Sequence, residues 1–246
     1  MSFYEMAHRQ ISKLGLNRFK WFGEIRKRTI PILNDLSKPI KINDSFYMFT
    51  DNYDTLDLLA NRTYEPKQTK FFNENARKGD KMALDIGANI GYFSLLFAGM
   101  CSRVYAFEPE EDNYKLLSRN IKLNGFKKKI VAEQLAVSDR RAKLQLELEP
   151  YNRGAHRITN QKTGKNIEGV QAVSLDDYFK GKRKPDYIKM DVEGYEDMVI
   201  KGGKDVFNSA KLIVFEDTTG KARKAIAALG FKVKPFDNAN FYAKKT

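Results

Sequence analysis

The stretch Leu84-Asp-Ile-Gly-Ala-Asn-Ile-Gly-Tyr-Phe93 limits the folds open to this chain more than any other feature. Met82 to Asp85 reads as a short buried strand, and Tyr92 to Met100 reads as a helix. Between them, Gly87 permits a tight turn with the backbone close to a ligand, and Gly91 lets the helix start pack against the strand. A helix N-terminus placed there offers free N–H groups to a carboxylate or phosphate. The loop therefore suits the anionic or zwitterionic end of a cofactor.

Two familiar phosphate-binding signatures do not fit. A dinucleotide fingerprint needs glycines in the register G-x-G-x-x-G. Counting from Gly87 puts Asn89 and Tyr92 at the other two positions, and taking Gly87 as the second glycine puts Asp85 and Ile90 there. No Gly-Lys-Ser/Thr follows, so the Walker A pattern fails as well.

The loop opens a regular alternation. Arg103 to Phe107 reads as a second strand, and the helix that follows runs from Pro109 to Leu123 and closes at Asn124-Gly125. Ile130 to Val137 reads as one strand and Leu144 to Leu148 as an extra one, with Asn152 to Gly169 a polar loop. Val170 to Val173 is a short strand, and Ser174 caps a helix over Leu175 to Phe179. Asp186 to Met190 and Leu212 to Phe215 are further strands, Lys221 to Leu229 a helix, and Phe231 to Pro235 with Asn240 to Ala243 a final antiparallel pair. The expected fold is α/β: a mostly parallel, Rossmann-like sheet with an antiparallel C-terminal strand and helices on both faces.

Residues 1–75 differ in character and read as a basic extension of helices and short strands, with the main domain over 76–246. Arg9 to Ile30 holds seven basic residues and one acid, with Ile11, Leu14, Phe22 and Ile25 near helical spacing. Such a helix can lie on a membrane surface or nucleic acid, or pack on the main domain with its basic face in water. Ile40 to Phe49 reads as a strand or hairpin, 54–61 and Pro66 to Arg77 as short helices, and Lys78-Gly-Asp80 as a turn. His8 and Lys127-Lys-Lys129 are expected at the surface.

Composition excludes some classes. One cysteine, Cys101, allows no intrachain disulfide framework and points to a reducing cytoplasm; it lies in an apolar run with no histidine nearby, so an inert buried thiol is expected. No apolar run is long enough to span a bilayer, and the N-terminus lacks a signal-peptide core. The formal net charge of +13 attracts anions without choosing among them.

Three further positions carry chemistry. Glu108 ends the second strand, where a carboxylate can accept both hydroxyls of a ribose or favour the following helix start. Asp191 and Glu193 leave the C-terminal edge of a central strand, where such sheets place their ligands. They can orient a hydroxyl, accept its proton or favour a cation, or simply cap loops; with Glu216 they can also hold Mg²⁺, although no metal site is expected. His156 lies in the polar loop as a candidate base or a plain surface residue.

These residues carry a resemblance. Tyr64-Glu-Pro66, Asp85-Ile-Gly-Ala-Asn-Ile-Gly-Tyr92, Ala106-Phe-Glu-Pro109, Leu135-Ala-Val-Ser-Asp139, Val173-Ser-Leu-Asp-Asp177 and Ile188-Lys-Met-Asp-Val-Glu-Gly194 occur in order, and together they resemble the FkbM family of class I methyltransferases from about Tyr64 to Glu216. The resemblance implies S-adenosylmethionine as cofactor. Its methionine end would lie near Asp85, Gly87 and Asn89, in a loop that includes Ala88, Gly91 and Tyr92, with Glu65 and Asp191 close by. The ribose would lie on Glu108, and the adenine near Pro109, Leu135 and Ala136. Where the class often has an acid before the adenine this chain has Ala136, so backbone or apolar contact is expected. The resemblance also makes the polar loop substrate-facing, with Asp191, Glu193 and His156 as the catalytic candidates. The acceptor it implies is a hydroxyl on a small molecule, sugar or glycan. Asp191-Val-Glu-Gly194 stands where amino-directed DNA methyltransferases carry Asn/Asp-Pro-Pro-Tyr/Phe, which argues against exocyclic base amines. Methylation of RNA or another polyanion, with Phe19, Trp21 and Phe22 among the basic residues of the arm, is the second reading; a non-catalytic cofactor-binding protein is the third.

Overall fold

Period-two alternation along the central strands divides the core between two faces. In the computed structural model, Met82, Leu84 and Ile86 face one layer of helices while Ala83 faces another; Ile213 and Phe215 divide from Leu212 and Val214 in the same way. The structure describes residues 37–43, 45–51, 58, 62–76, 79–150, 152–161, 164 and 166–245. The basic arm at 9–30, His8, most of the expected helix at 54–61, and Lys78 lie outside the described residues.

A hairpin of β1 (Ile40–Ile42) and β2 (Phe46–Met48) comes first, then helix α1 (Pro66–Asn75). The main sheet is built from β3 (Gly79–Ile86), β4 (Cys101–Phe107), β5 (Ile130–Glu133), β10 (Tyr187–Met190), β11 (Leu212–Glu216), β12 (Phe231–Pro235) and β13 (Asn240–Lys245). Its order is β12-β13-β11-β10-β3-β4-β5, parallel from β11 to β5 and antiparallel where β13 pairs with β11 and β12. The chain builds outward from β3 through β4 to β5, then returns to place β10 on the other side of β3. That reversal opens a crevice beyond the C-terminal ends of β3 and β10, the place where open α/β sheets bind ligands.

Helices α2 (Tyr92–Ala98) and α3 (Glu111–Leu123) share one face with α1. The other face is covered by α4 (Leu175–Tyr178), α5 (Glu196–Lys201), α6 (Lys204–Ser209) and α7 (Lys221–Ala228). Among the described residues, no helix is long and apolar enough to cross a membrane. Cys101 is 2% exposed, and burial pushes its thiol up to about 12, as expected for an inert position.

Several expectations need correction. The segment Ile130 to Val137 is not one strand: β5 ends at Glu133, and β6 (Ala136–Val137) joins a second sheet of order β6-β9-β7-β8. That sheet also holds β7 (Ala142–Glu147), β8 (Arg157–Thr159) and β9 (Ile167–Val173), so the expected loop over 152–169 contains a 3₁₀ turn (Arg153–Ala155) and strand residues paired to β7. Gly79 and Asp80 belong to β3 rather than to a turn. Pro109 precedes rather than opens its helix, for Glu110 is the cap and its carboxylate accepts from the N–H groups of Asp112 and Asn113. Helices α5 and α6 were not expected.

The hairpin is fastened to α3 by two asparagines one turn apart. Asn124 exchanges hydrogen bonds with the Tyr47 backbone, and Asn120 does so with Phe49 while also donating to the Ile90 carbonyl at 2.9 Å. The glycine loop is thereby held from outside the sheet.

Candidate functional site

The glycine loop is positioned by backbone hydrogen bonds to the next strand. Gly87 N–H and Ala88 N–H both donate to the Phe107 carbonyl, at 3.0 and 2.9 Å. Gly87 has φ +78° and Gly91 φ +96°, and Asn89 takes the same left-handed region at φ 48°, which asparagine tolerates better than most residues. A Cβ on Gly87 would lie 1.8 Å from the Asp191 carbonyl oxygen, so this glycine lets β3 and β10 close up at the crevice. A Cβ on Gly91 would lie 2.6 Å from Leu117 Cδ1. Gly91 thus makes room for helix α3, not for the strand as expected.

A cleft opens beside the loop, and Gly87, Asn89, Glu108, Pro109, Leu135, Ala136, His156, Asp191 and Glu193 all line it. Nine of the sequence candidates therefore meet on one surface. The others do not reach it. Asp85 is 1% exposed behind the loop, where Ser94 Oγ donates to it at 2.6 Å, and burial pushes its carboxyl up to about 6. Tyr92 packs against Phe46 and Tyr64, its hydroxyl 2.9 Å from Thr63 Oγ1. Ala88 and Gly91 contribute backbone shape, and Glu65 stands behind Asp191.

Glu108 is 5% exposed at the end of β4. Its Oε2 accepts from Asn89 N–H at 2.8 Å and its Oε1 from Glu110 N–H at 3.0 Å, while burial pushes the carboxyl up to about 7. Each oxygen keeps a further lone pair for a donor in the cleft.

Asp191 is held by an ammonium that the sequence reading passed over. Lys189 sits in the otherwise apolar strand Tyr-Ile-Lys-Met, in register with Asp85 of β3. Its Nζ is 2.9 Å from Asp191 Oδ2, 3.5 Å from Glu65 Oε2 and 5.2 Å from the Phe93 ring centre. Burial alone would push this ammonium's pKa down; the carboxylates of Asp191 and Glu65 outweigh that and hold it above the ordinary lysine value. A lone cation within an apolar strand was the available signal.

Asp191, Glu193 and Glu216 bring carboxylate oxygens within 4.8 Å of one another, a spacing that suits a shared proton or a divalent cation. Burial and then the Asp191 charge push Glu193 up to about 8 and Glu216 up to about 7. Glu193 also has φ 52°, a strained value for its type. It forms part of a second cavity with Glu147, Glu149, Ala155, Arg157, Gly194, Glu216 and Thr218. Arg157 Nε donates to Glu147 Oε2 at 2.9 Å, so the guanidinium in this wall already has a carboxylate partner.

His156 Nδ1 accepts from Glu149 N–H at 2.9 Å, which assigns the proton to Nε2. Burial lowers its pKa, favouring the neutral ring. In this arrangement His156 offers the cleft a donor rather than a base. The cleft also includes Asn113, Arg153 and Tyr195, none of which the sequence reading named. Asn113 lies one helical turn beyond Pro109, the only hint the spacing gives.

The family described as "Methyltransferase FkbM domain" matches residues 85–233. The hexuronic acid methyltransferase AglP of Haloferax volcanii is 26% identical over 153 residues, which cover 61% of each chain. Among solved structures, an FkbM methyltransferase from Methylobacillus flagellatus superposes with a TM-score of 0.49 at 16% identity, covering 88% of this chain and 59% of that one. The tRNA m1G37 methyltransferase of M. jannaschii gives 0.46 at 14% identity, covering 84% and 53%. The chain thus spans less than two thirds of the length of each of these relatives.

Proposed function

The chain belongs to the FkbM family of methyltransferases, and from that premise we propose that it carries the methyl group of S-adenosylmethionine to a hydroxyl of a sugar or glycan. The residues of the cleft fit that cofactor. Gly87 lets β3 and β10 close up at the crevice, Glu108 has lone pairs free for a ribose diol, and Pro109, Leu135 and Ala136 give the cleft an apolar lining for a base. When bound, the cofactor supplies a sulfonium methyl that bonds to the acceptor oxygen as the carbon–sulfur bond breaks.

The observation that carries the reading is the place of Glu193, on the wall shared by the cleft and the second cavity. From there its carboxylate, once ionised as pH rises through about 8, can take the proton that the acceptor hydroxyl loses. Asp191, fixed by Lys189 and by its own N–H donating to Ile86 O at 2.9 Å, would present its carboxylate to the sulfonium. His156 Nε2–H can donate to a second hydroxyl. In-line displacement needs little more than this positioning. The hexuronic acid methyltransferase among the relatives supports a sugar as the acceptor class, and the acidic wall of the second cavity favours an uncharged sugar over a hexuronic acid in this chain.

The net charge of +13 favours a polyanion such as RNA, but four carboxylates line the second cavity and its arginine is already paired. Phosphates would meet the Glu147 and Glu149 carboxylates there, joined by those of Glu193 and Glu216 as they ionise toward pH 8.

The test is Glu193→Gln with methyl-labelled S-adenosylmethionine and a panel of neutral sugars. Transfer by the parent protein should fall at least about a hundredfold in the variant, while S-adenosylhomocysteine binding, read by calorimetry, stays within about threefold. Undiminished transfer would remove Glu193 as the base, and absence of cofactor binding by the parent protein would remove the whole reading.

A further inference from the structure

Asn113 is 1% exposed in the first turn of α3 and lines the same cleft as Pro109, Leu135 and Ala136. Its amide is half used. Nδ2 donates to the Arg153 carbonyl at 3.1 Å, while Oδ1 is buried with no hydrogen-bond partner. Buried amide oxygens ordinarily find a donor. A second contact, from the Arg153 guanidinium to Asp112 Oδ2 at 3.3 Å, fastens the same 3₁₀ turn to the same helix start. The amide therefore cannot reverse its ends without giving up the Arg153 carbonyl, and its acceptor is the atom left over for the cleft.

We propose that Asn113 Oδ1 reads the cofactor's base by accepting a hydrogen bond from its exocyclic amino group. This rests on the S-adenosylmethionine reading above and gives the base a polar contact that Ala136 cannot supply. An acceptor of fixed orientation favours an amino group and opposes a carbonyl in the same place, because two acceptors would then face each other. Adenine and hypoxanthine differ in that group. Asn113 is buried and the Arg153 turn lines the cleft with it, so the loss of this contact is felt.

The experiment is calorimetric titration of the full chain with S-adenosylhomocysteine and with its deaminated analogue, S-inosylhomocysteine. The parent protein should prefer the adenosyl compound by about tenfold or more, the scale of one lost hydrogen bond plus a repulsive pair. Asn113→Ala should bring the two affinities within about threefold, chiefly by weakening the adenosyl compound. Asn113→Ser, which keeps a polar side chain but withdraws the acceptor, should narrow the gap in the same way, and it serves as the deciding variant if the alanine protein does not fold. Equal binding of both compounds by the parent protein, or full discrimination by Asn113→Ala or Asn113→Ser, overturns the assignment while leaving the cofactor reading intact. Failure of the parent protein to bind either compound counts instead against the cofactor reading.

Discussion

At the scale of single residues, the site is defined by charges kept in unusual states. Glu108 is the plainest case, since burial moves its carboxyl up to about 7 while two backbone N–H groups partly offset the cost. An acid whose pKa rises on folding stabilises the fold fully below its unfolded value. That contribution fades as pH climbs toward the folded value, here between about 4.3 and about 7. A ribose diol donating to the ionised carboxylate reverses the preference, so cofactor binding below pH 7 must expel a proton. Affinity for S-adenosylhomocysteine should then weaken by up to about tenfold for each pH unit below 7 and level off above it. Glu108→Gln should bind weakly and without this slope. Calorimetry from pH 5.5 to 8 checks both; a flat profile in the parent protein would show that Glu108 does not gain its partner on binding.

At the scale of elements, the same left-handed turn can hold a site together or merely end a helix. Gly87 and Gly125 have nearly equal φ, +78° and +70°, yet a Cβ on Gly87 meets the Asp191 carbonyl at 1.8 Å and one on Gly125 meets nothing within 4 Å. Gly125→Ala should therefore cost only the conformational strain, about 1 kcal/mol, and leave cofactor affinity alone. Gly87→Ala must push β3 and β10 apart at the crevice, so its Tm should fall much further and S-adenosylhomocysteine binding should be lost with it. Equal losses in the two variants would refute this view of the loop. The glycine pattern made that strand–turn–helix unit readable from sequence, together with the parallel strands whose apolar runs end in Asp85, Glu108 and Asp191. What escaped has physical causes. The apolar character of Ile130 to Val137 continues through Leu135 although the chain leaves one sheet for another, and hydropathy cannot register a change of partner. Helices α5 and α6 are six residues each, separated by Gly202-Gly203, too short for a period to show. Arg157 and Glu193 come together only because β8 folds back on β7, a long-range pairing that the polar segment does not announce.

At the scale of the whole molecule, two charge readings point in opposite directions. The chain as a whole carries +13, which by itself favours an anionic partner. The cavity beside Glu193 is walled by Glu147, Glu149, Glu193 and Glu216, with Arg157 already on Glu147. The distant field is screened over about 10 Å at 0.1 M salt, whereas groups inside a cavity are screened far less. The wall should therefore decide the acceptor, and the overall charge should affect only the rate of encounter. Neutral sugars should be methylated with a KM that barely changes as salt is raised, and above about pH 8, where Glu193 and Glu216 are ionised, the same sugars carrying a carboxylate on the reacting ring should react at least about tenfold less well, from like-charge repulsion in the cavity. Replacing one wall acid, Glu147→Gln, releases Arg157 and should narrow that gap specifically for the carboxylate sugar. Steady-state kinetics on matched neutral and acidic acceptors at two salt concentrations measures all three effects. A carboxylate acceptor that outperforms its neutral counterpart, and loses that advantage in salt, would mean that the global charge governs and that the acidic wall faces away from the substrate.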